Sequence, residues 1–250
     1  MQITIFKDIK ETSQPFYRHV DIIIKRIREG ASKTLVKKIR SEKNKEKRNI
    51  LKQKLPAVCF SGTFSKRNDG ALQEHSGIIC LDFDGYPSNK AMLMEKEKLC
   101  KDKFVYSVFI SPSGQGLKAL VKIPKEPDNH KNYFNSLEVY FGSDYFDKTS
   151  KNISRVCYES YDPLIHSNET SSVWDKIYEE QYTEVEKHVD IPTIPITDEN
   201  KIVDILTKWW QKKYPMIEGQ RNHNAYVLAS AFNDFGVTKT LAEYVLNGYS

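Results

Sequence analysis

Ser76-Gly-Ile-Ile-Cys-Leu-Asp82-Phe-Asp84-Gly85 is the stretch on which the reading of this chain turns. A short apolar run, 78–81, ends in two carboxylates separated by one residue. Side chains alternate along a strand, so Asp82 and Asp84 are expected on one face. Two carboxylates on one face repel unless a cation lies between them. Oxygen ligands of this kind suit Mg²⁺ or Mn²⁺, ions that commonly bring phosphates with them. An Asp-rich turn capped by Gly85 has the same local sequence. The rest of the chain has to separate the two readings.

The chain has 250 residues, 39% of them hydrophobic and 28% charged, enough for a substantial core plus an appended piece. No apolar run approaches the ~20 residues that a membrane-spanning helix needs. The first residues lack a basic region followed by an apolar one, so no secretory signal is expected. Cys59, Cys80, Cys100 and Cys157 are scattered without a Cys-x-x-Cys pair, the pattern of reduced thiols in a cytoplasmic protein. The net charge of +5 hides an asymmetry. Residues 25–54 hold thirteen Lys or Arg against three Glu, a net of +10 that leaves −5 for the remainder. Cations concentrated in one segment point to a polyanion partner, here nucleic acid. A solvated helix face has the same composition.

Working outward, residues 2–6 alternate as a strand, and 16–28 carry Val20, Ile23, Ile24 and Ile27 at helical spacing before Gly30. Residues 31–55 read as one basic helix stopped by Pro56. A short strand is expected at 57–61 and a polar loop with Lys66 and Arg67 at 62–70. Downstream of the Asp pair, 89–101 is amphipathic and helical. Residues 104–110 and 117–123 are strand-like around the turn Ser111-Pro-Ser113-Gly114-Gln-Gly116, which predicts an antiparallel hairpin. A helix is expected at 129–141, a polar loop at 147–152, and a strand at 153–158 containing Arg155. The proline-interrupted 181–199 reads as a linker between a domain at 1–180 and a small helical domain at 200–250. Trp209 and Trp210 are adjacent, so one is expected in a core and the other exposed as a platform for a base or partner.

Three features converge on phosphate chemistry. The first is the Asp82/Asp84 pair. The second is Ser111-x-Ser113-Gly114-x-Gly116-x-Lys118, where glycines let backbone N–H groups approach an anion framed by two hydroxyls and a cation. The third is Asp147 with Lys148 and Arg155. Together they supply three carboxylates and a triphosphate cradle, the parts of a two-metal nucleotidyl-transfer site. His75, His166 and His223 have no metal-ligand spacing and read as surface or locally hydrogen-bonded residues.

The order of Asp82-Phe-Asp84, then Ser113-Gly-x-Gly-x-Lys118, then Asp147 resembles the archaeo-eukaryotic primase superfamily. More narrowly it resembles the N-terminal primase-like domain of virulence-associated protein E and related phage or mobile-element proteins. Leu55-Pro-Ala-Val-Cys-Phe-Ser-Gly62-Thr-Phe-Ser-Lys-Arg67, His75 to Asp84, Ser111 to Lys118 and Asn152-Ile-Ser-Arg155-Val-Cys-Tyr-Glu-Ser-Tyr-Asp162 carry the likeness, over residues 35–170. The resemblance implies an α+β fold, with an RNA-recognition-motif-like antiparallel sheet flanked by helices and a small all-helical domain after it. It implies a DNA primase or primase-polymerase in a bacterial or phage-infected cytoplasm, working on a single-stranded DNA template with NTP or dNTP. Asp82, Asp84 and Asp147 would be catalytic and hold Mg²⁺ or Mn²⁺. Ser111, Ser113, Gly114, Gly116, Lys118 and Arg155 would meet the nucleotide, and Lys37, Lys38, Arg40, Lys66 and Arg67 the nucleic acid. The wider superfamily usually has His where this chain has Lys118, a point charge with different titration. Residues 218–229 resemble the small helical domain that follows such catalytic domains, with a helicase expected beyond it.

Two other classes fit parts of the sequence. Ile-Cys-Leu-Asp82-Phe-Asp84-Gly85 is similar to the nucleophile motif of haloacid-dehalogenase-like phosphatases, although a hairpin at 104–123 is foreign to their parallel sheet. A non-catalytic nucleic-acid-binding module would use the basic segment and leave the Asp pair idle.

Overall fold

Antiparallel pairing organises the first of two compact units, Met1–Glu180, and helices alone make up what is described of the second, Gln181–Ser250. The computed structural model describes residues 1–178, 198–214 and 221–249, without the side chains of Arg221, Asn222 and His223. The expected linker at 181–199 falls almost wholly outside the described residues.

The first unit begins with β1 (Gln2–Phe6), β2 (Phe16–His19), α1 (Val20–Glu29), α2 (Lys33–Ser41) and α3 (Lys45–Lys52). Next come β3 (Ala57–Cys59), β4 (Gly62–Phe64), β5 (Leu72–His75), β6 (Ile78–Phe83) and α4 (Asn89–Lys101). It ends with β7 (Val105–Ile110), β8 (Leu117–Lys122), α5 (His130–Phe141), β9 (Cys157–Tyr158) and β10 (His166–Ser167). Two four-stranded sheets, ordered β2-β1-β3-β9 and β10-β7-β8-β6, are antiparallel throughout, and β4 with β5 forms a separate ribbon. The α+β class, with antiparallel sheets flanked by helices, is the one the sequence predicts.

Alternation along β6 explains its apolar run. Ile79, Leu81 and Phe83 pack with Met92 and Leu99 of α4 and with Phe134 and Leu137 of α5. Ile78 and Cys80 face the other way, into a cluster with Ile23 and Ile24 of α1, Val58 of β3 and Phe109 of β7. Asp82 is in phase with Ile78 and Cys80, which aims it away from the α4 and α5 layer and toward the side of β6 that faces β3 and β9. Burying side chains of this size contributes about 1.5–3 kcal/mol each, so both faces of β6 are anchored.

Several elements differ from the sequence expectation. Residues 16–19 pair with β1 as a strand, with Phe16 opposite Ile5 and His19 opposite Gln2, and the helix starts at Val20. Cross-strand hydrogen bonding overrides the local helical pattern there. Gly30 then ends α1 in the left-handed region (φ 87°), its N–H donating to the Arg26 carbonyl. The single basic helix is two: Asn44 starts α3 as its N-cap, accepting from the Lys47 N–H at 3.0 Å. The polar loop after Gly62 contains β4. The expected strand at 153–158 shrinks to β9, because only Cys157 and Tyr158 have partners on β3. Arg155 therefore lies in a turn, its N–H bonded to the Asn152 carbonyl at 3.0 Å.

The β9–β10 connection is pinned by buried ion pairs. Glu159 is fully buried and accepts from Arg26 Nε at 2.6 Å and from Ser32 Oγ. Asp162 accepts from Lys96 Nζ at 2.6 Å and from the Ile110 N–H at 2.9 Å. Charges buried this deeply persist only when paired and hydrogen-bonded, so these contacts specify one path for residues 157–165.

In the second unit, α6 (Glu199–Lys213), α7 (Arg221–Asp234) and α8 (Lys239–Asn247) close around Leu206, Trp210, Leu228 and Phe232. Trp210 is buried and its indole N–H donates to the Asn224 carbonyl at 2.7 Å. Trp209 is 41% exposed, so the tryptophans divide as the sequence predicts. No described helix is long and apolar enough to cross a membrane.

His75 is locally hydrogen-bonded, as one of the two expected readings has it, but buried rather than at the surface. It and His130 are buried ring against ring, with Nε2 of His75 3.1 Å from Nδ1 of His130, and the Gly77 N–H donates to the His75 Nδ1. Burial, helped by Lys125, lowers the His75 pKa to about 4. Burial and the neighbouring His75 lower that of His130 to about 3. Both stay neutral in the folded chain while an unfolded chain takes up protons below pH 6.5, so stability falls as pH drops from 6.5 toward 4. At pH 5 each histidine is expected to cost about 2 kcal/mol. Urea unfolding at pH 7, 6 and 5 should show this loss in the native chain and a smaller one in His130→Asn, compared with its own value at pH 7.

Candidate active site

The end of β6 meets the start of β8 in a register that puts Asp82 opposite Lys118 and Phe83 opposite Leu117. Lys118 Nζ donates to Asp82 Oδ2, and both side chains are more than four-fifths buried. Burial opposes the Lys118 charge, but Cys157, Asp82 and Cys80 outweigh it and raise the pKa of the amine. Asp82 Oδ1 is buried without a hydrogen-bond partner. Beside the pair lie the Cys80 and Cys157 side chains, whose mutual interaction lowers the pKa of Cys157 and raises that of Cys80, and Cys157 Sγ donates to the Tyr158 carbonyl at 3.6 Å.

Asp84 lies just past the strand, toward solvent, with its carboxylate over Gly116. A Cβ at position 116 would collide with Asp84 Oδ1 and approach the Phe83 carbonyl oxygen to 2.8 Å, so only glycine fits there. Partial burial, then the charges of Asp82 and Asp147, raise the Asp84 pKa. The backbone docks residues 145–147 alongside. Asp84 N–H donates to the Tyr145 carbonyl and Asp147 N–H to the Asp82 carbonyl, both at 2.8 Å, around a Phe83–Phe146 bridge. The Asp147 carboxylate is already engaged, accepting from Thr149 N–H at 2.9 Å, Thr149 Oγ1 at 2.7 Å and Ser150 Oγ at 2.6 Å. Burial works against its charge, yet the Ser150 and Thr149 bonds hold its pKa below the usual carboxylate value. Arg155 stands 3.8 Å from it.

The β7–β8 turn closes on itself. Ser111 N–H donates to the Gly116 carbonyl and Gly114 N–H to the Ser111 carbonyl, both at 2.9 Å, with Gly114 at φ 74°. Two of the backbone donors expected to face an anion are therefore used within the turn. The hydroxyls of Ser111 and Ser113 are 3.1 Å apart.

These elements enclose a cleft of about 310 Å³ lined by Asp82, Asp84, Ser111, Ser113, Lys118 and Arg155, together with Lys52 of α3. The structure thus gathers six of the residues singled out in the sequence, with Gly116 directly beneath Asp84. Gly114 lines an adjoining groove, and Asp147 lines neither cavity, its backbone N–H bonded to the Asp82 carbonyl and its carboxylate 3.8 Å from Arg155. The nucleic-acid candidates are not gathered. Lys37, Lys38 and Lys66 are exposed elsewhere, Arg40 donates to the Ser111 and Tyr161 carbonyls, and Arg67 to the Ile9 carbonyl at 2.7 Å. Sequence reading missed Lys52, Cys80 and Cys157. Lys52 was findable, because it falls on one helical face with Lys45 and Arg48. The cysteines come from different sheets, and no local pattern joins them.

The donor set fits one divalent cation. Mg²⁺ commonly takes one or two carboxylates and completes its shell with water and substrate phosphates. Asp82 Oδ1, buried and unpartnered, and the Asp84 carboxylate supply those two. Among the described residues no three His, Cys, Asp or Glu side chains gather as a ready-made metal cluster.

Residues 50–166, which include every residue of this cleft, match the family model described as BT4734-like, N-terminal domain, a description that names no primase. The AEP domain of the cyanophage S-2L primase-polymerase superposes with a TM-score of 0.37 and 11% identity, over 70% of this chain and 83% of that one. No curated protein matches the chain.

Gly116→Ala is expected to destabilise the fold by about 1–3 kcal/mol through overpacking, read as a lower urea midpoint at constant slope. Gln115→Ala, exposed in the same turn, should stay within about 0.5 kcal/mol of the native chain. Lys118→Met leaves the Asp82 charge buried and alone, an expected loss of roughly 3–5 kcal/mol. The double variant Asp82→Asn/Lys118→Met should recover much of it, and a strictly additive cycle would refute the pairing.

Proposed function

We propose that this chain is a nucleotidyltransferase of the primase or primase-polymerase type, extending oligonucleotides on a single-stranded DNA template from NTP or dNTP. The observation that carries the reading is Asp82, one carboxylate oxygen neutralised by Lys118 and the other buried without a partner, opening with Asp84 onto a cleft ringed by hydroxyls and cations. An acid held in this way has an unmet demand for positive charge.

Asp82 Oδ1 and Asp84 are the residues that would hold Mg²⁺ or Mn²⁺. When bound, the ion supplies Lewis-acid activation of a hydroxyl nucleophile and neutralises charge developing on the transferred phosphoryl group. Ser111 and Ser113 offer hydroxyl donors to phosphate oxygens, and Arg155, with a half-exposed guanidinium, offers a fork suited to them. Lys118 has two tasks: it fixes the Asp82 rotamer and adds positive charge to the cleft wall. Asp147 acts through position, accepting from the Thr149–Ser150 turn and standing beside Arg155 of the cleft wall. Gly116 gives Asp84 its seat.

The phosphatase reading finds less support. The strand bearing Asp82 pairs antiparallel with β8, whereas the haloacid-dehalogenase sheet needs parallel strands joined by helices.

The test is extension of short oligonucleotides on several single-stranded templates with Mg²⁺ or Mn²⁺ and both nucleotide classes. Asp82→Asn and Asp84→Asn are expected to lower product formation by more than about a hundredfold, the scale for removing one strong electrostatic stabiliser. Product that persists in both variants, or a fluoroberyllate-trapped Asp82 without any extension, would overturn the assignment.

A further inference from the structure

Beside the acidic cleft runs a second, larger groove of about 730 Å³. One wall is α3, which contributes Lys45, Arg48 and Lys52. The facing wall is the segment from Gly85 into the start of α4, and Gly114 and Gln115 of the β7–β8 turn close one end. Lys52, Asp84 and Ser113 line both cavities, so the groove opens directly onto the acid pair.

Several polar groups of this groove lack partners. Among the described residues none of Lys45, Arg48 and Lys52 forms an ion pair, whereas Arg26, Lys96 and Lys118 each hold a buried carboxylate. Arg48 Nε and Tyr86 Oη are buried atoms with no hydrogen-bond partner, and both residues line the groove. Tyr86 is held in place by Tyr145, ring centroids 4.3 Å apart. Three cations without an ion-pair partner, one of them with a buried unpartnered Nε, and the orphaned Tyr86 hydroxyl face one open groove, which matches a ligand that offers several anionic oxygens.

We propose that the groove between α3 and the Gly85–Asn89 segment is a phosphate-binding track, with Lys45, Arg48 and Lys52 neutralising phosphates and Tyr86 donating to them. The ligand chemistry is that of nucleotide phosphates, either the backbone of a single strand or the polyphosphate of a free nucleotide. The nucleotide identity of the ligand rests on the nucleotidyl-transfer reading; the site itself does not. It moves polyanion recognition from Lys37, Lys38 and Arg40 on α2 to one face of α3.

The experiment titrates the full chain with a fluorescein-labelled oligothymidylate in EDTA, across a range of salt, so that catalysis and metal play no part. Arg48→Gln/Lys52→Gln should weaken binding at least tenfold and flatten the log–log salt dependence by about 1.4, since a single strand gives about 0.7 per neutralised phosphate. Lys37→Gln/Lys38→Gln should leave both unchanged. A native chain that binds the oligonucleotide in EDTA but never extends a primer with metal present would sink the catalytic proposal and spare this one. Free nucleoside triphosphate is the second arm. If it competes with the oligonucleotide in the native chain and loses affinity in the α3 variant, the track takes a nucleotide polyphosphate; if it does not compete, the track takes the strand. Should the double variant melt early, exposed Lys45→Glu replaces it, with at least a tenfold loss expected. Unchanged affinity and salt slope in a folded α3 variant, or an equal loss in the α2 variant, would overturn the proposal.

Discussion

The pairing of β6 with β8 is the constraint on which the rest of the unit depends. Its register brings Lys118 to Asp82 and stacks Leu117 against the same apolar layer as Phe83. A slip of one residue would turn every side chain of β6 to the wrong layer, burying Asp82 among α4 and α5. Ile79, Leu81 and Phe83 on one side and Ile78 and Cys80 on the other make that slip expensive. The apolar residues of the strand thereby fix where its acid points. Chemistry at the cleft is positioned by packing that takes no part in it.

Electrostatics divides the cations of the unit into two sets. Arg26, Lys96 and Lys118 are paired with carboxylates that are buried or nearly so, and they hold the β9–β10 connection and the end of β6 in place. Arg40 and Arg67, prominent in the basic sequence, turn back to backbone carbonyls and brace loops. A count of charge along the chain cannot separate these uses, because each depends on which group the fold brings within hydrogen-bonding distance. What is left over gathers on one side of α3.

The sequence made the acid pair, the hairpin and the α4 and α5 helices legible because each obeys a local period. Asp82-Phe-Asp84 needed only strand alternation, and Ser111 to Lys118 only a turn between two β-rich runs. Non-local pairing hid the rest. Residues 16–19 follow a helical pattern until β1 offers them a ladder, and 153–156 have strand composition but no neighbour to pair with. The thiol contact of Cys80 with Cys157 and the burial of His75 against His130 join residues far apart in sequence. The break at Glu42–Asn44 was visible as an Asn N-cap, but the continuous charge of the segment concealed it.

The short bridge between Phe83 and Phe146 has a further effect. β6 is the outermost strand of its sheet, and an uncovered outer strand invites pairing with another chain. By laying residues 145–147 along the end of that edge, the fold blocks strand addition there with the segment that carries Asp147. Solubility and site assembly are thus served by one stretch of backbone, and a change in loop length between Gly142 and Tyr145 would disturb both together.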